Sequence, residues 1–67
     1  MTFDQFYDRG RKYLIDNLTY LRKGQAFQTV LSAVRPDLDK KTTENGLNVF
    51  SNDAKFPEFV AFLRQNW

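Results

Sequence analysis

The chain has 67 residues, a formal charge of +2, and neither cysteine nor histidine. A chain this short buries only about 60% of its unfolded surface, so a single domain spanning 1–67 is expected, with no disulfide and no thiolate or imidazole metal site to staple it. Packing must supply the stability. The seven Phe, three Tyr and one Trp are suited to that, since each removes roughly 150–250 Å² from water when buried.

Charge is balanced between the halves: the first 34 residues carry five Lys/Arg and three Asp, the remaining 33 five of each sign. There is no basic tail and no acidic run, which speaks against wrapping a nucleic-acid backbone. Met1–Gln5 lacks a basic and apolar leader pattern, and no apolar run approaches the ~18 residues that span a bilayer, so a cytoplasmic protein with no membrane attachment is expected. Asn17-Leu18-Thr19 matches the glycosylation triplet, which without a secretion signal reads as chance.

The elements follow in order. Thr2 with Gln5 forms a capping-box pattern and Asp4 suits the positive helix end, so a first helix starts at Phe3. Stepping 100° per residue, Phe3, Phe6, Tyr7, Gly10, Tyr13, Leu14, Asn17, Leu18 and Leu21 share a sector, which carries this helix to about residue 22. Ile15 points away from that stripe. Gly10 stands inside it, where Ala would gain about 1 kcal/mol, so another backbone is expected to cross there.

Continued further, the same helix would place Lys23 among Phe27, Val30, Leu31 and Val34, so the phase must reset. Gly24 is the residue expected to reset it, as the left-handed end of helix one, the start of helix two, or both. Arg22 and Lys23 would then sit in the last turn of helix one, favoured by its dipole. Helix two runs over 25–35 and ends at Pro36, which can open a short helical turn near 36–43 anchored by Leu38. Asn45-Gly46 closes that turn. Residues 47–50 form an extended crossover, since no second strand exists to pair with them. Ser51-Asn52-Asp53 offers caps for a last helix over 54–66 with Pro57 in its first turn. The expected fold is therefore all-α, a small bundle of three main helices (3–22, 25–35, 54–66) with the turn and the crossover.

Catalysis near neutral pH usually draws on histidine, reactive cysteine or perturbed carboxylates; the first two are absent and the three glycines are isolated, so neither an enzyme nor a cofactor site is expected. Asp37-Leu38-Asp39 begins like a calcium loop, but Lys41 and Thr42 replace a ligand and the glycine, so no metal is expected.

What stands out is helix two, where Gln25, Gln28, Thr29 and Ser32 recur at i, i+3, i+4 and i+7 without a charge. Either the crossover at 47–50 covers half of this face, or the face is an interface or a base-reading surface. The first functional reading is a small protein-protein interaction module binding another protein through that face, with Phe62 or Ile15 as apolar anchors. The alternative uses helix two as a nucleic-acid recognition helix, with Arg22, Lys23 and Arg35 on phosphates. A third places the domain in a larger assembly with Trp67 at an interface. The profile suits an orphan bacterial or phage protein.

Overall fold

The computed structural model describes all residues, 1–67, and its regular structure is all helical, with no strand: α1 (Phe3–Asp16), α2 (Lys23–Val34), α3 (Pro36–Glu44) and α4 (Phe56–Asn66), the last preceded by a 3-10 turn at Asp53–Lys55. The molecule measures 29 × 24 × 18 Å. No helix is long and apolar enough to cross a membrane.

Local chemistry sets most boundaries. Thr2 and Gln5 exchange the two capping-box bonds: the Gln5 N–H donates to Thr2 Oγ1 (3.1 Å) and the Thr2 N–H to Gln5 Oε1 (2.8 Å), which satisfies two otherwise unpaired donors. Pro36 opens α3 as its first residue, directly after α2. The end of α3 is a Schellman motif: Gly46 takes φ +69°, its N–H donates to the Thr43 carbonyl and the Leu47 N–H to that of Thr42. Pro57 is the second residue of α4, where a missing N–H costs nothing.

The first helix is shorter than its apolar stripe implies. It stops at Asp16, not near residue 22, because the Asn17 side-chain amide donates back to the Tyr13 carbonyl at 2.8 Å. A turn follows in which the Tyr20 and Leu21 N–H groups both donate to the Asn17 carbonyl. Asn side chains compete for backbone groups in this way and favour helix ends. The phase reset therefore occupies residues 17–22, and Gly24 is not its cause. Gly24 has no positive φ and is the second residue of α2. Arg22 and Lys23 correspondingly lie at the start of α2 and not in a last turn of α1.

The core gathers on α2. Phe27 stands at its centre, with ring centroids 5.0 Å from Phe56, 5.1 Å from Tyr7 and 5.9 Å from Phe6, within the range where tilted aromatic pairs attract. Val30, Leu31, Leu38, Val49, Phe59 and Leu63 complete it. A Cβ on Gly10 would lie 2.5 Å from the Phe27 ring, so what crosses Gly10 is this ring and not another backbone. The close backbone approach occurs at Gly24, where a Cβ would lie 2.0 Å from the Val49 carbonyl oxygen. Trp67 folds back on the opposite end: its ring stacks on Phe6 at 5.0 Å and its indole N–H donates to the Met1 carbonyl.

Candidate interaction surfaces

The uncharged residues of α2 do not form one outward face. Gln28 is buried. Its amide nitrogen donates to Asp39 Oδ1 and to Thr42 Oγ1 (3.1 Å), and its carbonyl oxygen accepts the Val49 N–H at 3.0 Å. It thus ties α2 to α3 and to the crossover. Thr42 is itself fully buried, and its hydroxyl donates a hydrogen bond to the Asp39 carbonyl (2.7 Å). No buried side-chain polar atom is left without a partner, the condition under which a polar core cluster stabilises. Chain segment 47–49 lies over this part of α2, so the covered-face reading describes it.

The other members of the set are scattered. Gln25 is half-buried and accepts the Arg22 N–H at 3.0 Å, capping its own helix. Thr29 is half-buried, and Ser32 is exposed with its hydroxyl donating to the Thr29 carbonyl. Phe62 is half-buried against the core cluster and does not project as a free anchor. Arg22 and Lys23 are exposed; Lys23 Nζ rests 4.5 Å from the centroid of the Phe56 ring. Both cations sit at the positive end of α2, which the helix dipole disfavours. Asp53 offsets this by accepting the Gly24 N–H at 2.9 Å.

A different surface emerges where α1 stops. Ile15 is 62% exposed, Leu18 67% and Tyr20 83%, with Tyr13 at 37%. Had α1 continued, Leu18 would have stayed on its apolar stripe with Leu14 and Leu21. Termination at Asp16 turns it out to solvent. Of this group only Ile15 was visible from periodicity, as the residue pointing away from the stripe; Leu18 and Tyr20 could have been found only by giving Asn17 more weight than the apolar spacing.

Elsewhere the surface is closed, with no pocket and no group of three or more His, Asp or Glu side chains that could hold a metal. The molecule has one ion pair, Arg35 Nη2 to Asp37 Oδ2 at 2.9 Å. Hydrogen bonding from Arg35 lowers the Asp37 carboxyl to about 2, partial desolvation opposing it and the Leu38 N–H assisting. No protein-family model matches the chain, and neither a curated protein nor a solved structure matches it.

Proposed function

We propose that this chain is a small cytoplasmic protein-protein interaction module, without catalytic activity, that binds another protein through the side chains exposed at the end of α1 and in the turn after it. The observation that carries this reading is the exposure of Ile15, Leu18 and Tyr20 within six residues of a chain whose other apolar side chains are mostly packed. Small soluble domains rarely leave several large apolar side chains together in water without a use for them. Burying such side chains stabilises a complex by about 1.5–3 kcal/mol each, enough to offset a share of the association cost. Tyr is also among the residues that most often anchor interfaces.

The surface differs from the uncharged side of α2, since Gln28 there is committed to three internal bonds. The same commitment removes Gln28 from any base-reading role. Affinity capture from the source cell with mass spectrometry tests the reading. The double variant Leu18→Ser/Tyr20→Ser is expected to lose partners that the parent and Ser32→Glu retain. An identical partner set for all three would overturn the assignment to this surface.

A further inference from the structure

The cations of this protein are unevenly placed along the chain. Residues 8–23 hold five Lys/Arg and two carboxylates, Asp8 and Asp16, whereas the other 51 residues hold five Lys/Arg and six carboxylates. On α1, Arg11 and Lys12 precede Ile15 by four and three residues, which places them beside it on the outward side of the helix. Arg22 follows Tyr20 by two residues, beyond the turn. All three cations are exposed. None forms an ion pair, the molecule's one such pair joining Arg35 to Asp37. Asp8 and Asp16 lie on the same side of α1, so the exposed apolar side chains are flanked by a net excess of positive charge, five cations against two carboxylates over residues 8–23.

Resting on the interaction reading above, we propose that this surface docks an acidic protein segment, one that sets carboxylates beside aliphatic or aromatic side chains. Charge complementarity selects the occupant. A second copy of this chain would bring net positive charge against net positive charge, and like charges placed across an interface oppose association. A nucleic acid would satisfy the cations and could stack on Tyr20, but it offers little to Ile15 and Leu18, which have neither a ring to stack nor a polar group to pair. An anionic membrane would meet both cations and apolar groups, yet a continuous sheet of negative charge repels Asp16 next to Ile15. A protein segment carries discrete charges and can present Asp16 with a cation or with water. The interaction is partly electrostatic between exposed groups, so it weakens as salt rises.

Fluorescence anisotropy with the full chain tests this, using three labelled synthetic peptides of equal length. The first alternates Glu with Leu and Phe, the second replaces every Glu by Gln, and the third replaces every Leu and Phe by Ser. The acidic apolar peptide is expected to bind at least about tenfold more tightly than either control, and Arg11→Glu/Lys12→Glu to lose about tenfold or more in affinity, since charge reversal across an interface opposes association. Leu18→Ser/Tyr20→Ser should lose a similar factor and Ser32→Glu should not, with circular dichroism melts showing that each variant is folded. Equal binding of the acidic and Gln peptides, still lost in Leu18→Ser/Tyr20→Ser, would overturn the acidic assignment and leave the interaction surface standing. Failure to bind any peptide, or binding to phosphatidylserine-containing vesicles in place of peptide, would overturn the proposal, the second outcome in favour of a membrane; the capture comparison judges the interaction reading separately.

Discussion

Gln28 gives the sharpest test of how the domain is held together. In Gln28→Leu the volume is nearly preserved, so the loss is confined to hydrogen bonds. Thr42 keeps its bond to the Asp39 carbonyl, and half-buried Asp39 can turn to water. The Val49 N–H has no such recourse, because Val49 is fully buried and Gln28 Oε1 is its acceptor. An orphaned buried donor costs about 1–3 kcal/mol. In a domain of this size each kcal/mol lowers Tm by roughly 4–8 °C, and a chain of 67 residues has only about 3–10 kcal/mol in total. Thermal and urea melts followed by far-ultraviolet circular dichroism read this directly. Gln28→Glu should cost more than Gln28→Leu at pH 7: one carboxylate oxygen still accepts from Val49, but the other faces the Asp39 carboxylate and the Thr42 oxygen. Burial beside like charge raises the pKa of the introduced carboxyl in the folded state, so its penalty should shrink as pH falls from 7 toward 4. A Gln28→Leu protein within about 0.5 kcal/mol of the parent, the usual range for a surface substitution, would refute the role given to this residue.

Three further predictions follow from the geometry. Gly24→Ala drives a methyl group into the Val49 carbonyl and should destabilise by about 1–3 kcal/mol or more, whereas Gly46→Ala meets open space and should lose only the 1–2 kcal/mol of a left-handed alanine; paired urea titrations give the order. Asp37 should titrate near 2 by carboxyl-carbon NMR and move back toward its ordinary 3.8 in Arg35→Ala. Its pKa is lowered on folding, so the stability it contributes is present above that ordinary value and is lost as pH falls toward 2. Leu18→Ser/Tyr20→Ser should leave the melting curve within about 0.5 kcal/mol of the parent, since both side chains already face water.

Features governed by a few neighbouring residues were legible in the sequence. The Thr2–Gln5 capping box, the Pro36 boundary, the Asn45-Gly46 stop and Pro57 in the first turn all depend on contacts within five residues, and the all-helical fold follows from them together with the apolar stripes. Two features were not legible, for different reasons. At the end of α1, two local tendencies compete: the spacing of Asn17, Leu18 and Leu21 extends the stripe, while the Asn17 amide ends the helix by bonding to Tyr13. Nothing in periodicity ranks one above the other. At Gln28, the sequence left a face covered by residues 47–50 and an exposed one both open, and could not choose because its partners Asp39, Thr42 and Val49 come from 11 to 21 residues away. The two helical glycines show the same division. Gly10 inside the apolar stripe signalled a close approach, whereas Gly24 was expected only to break the helix; that a ring fills the first site and a backbone the second depends on Phe27 and Val49, which only the packed fold brings there.

The central claim is that α1 ends at Asp16 and turns Leu18 and Tyr20 to solvent, since the interaction surface exists only if it does. Residue-resolved amide hydrogen exchange by NMR tests it most directly. The Leu18 and Thr19 N–H groups have no hydrogen-bond acceptor, so they should exchange with little protection, while the amides of Phe27, Val30 and Leu31 in the buried helix should be protected nearly to the free energy of global unfolding. Protection of Leu18 and Thr19 equal to that of Tyr13 would mean that the helix continues through them, and would contradict the account.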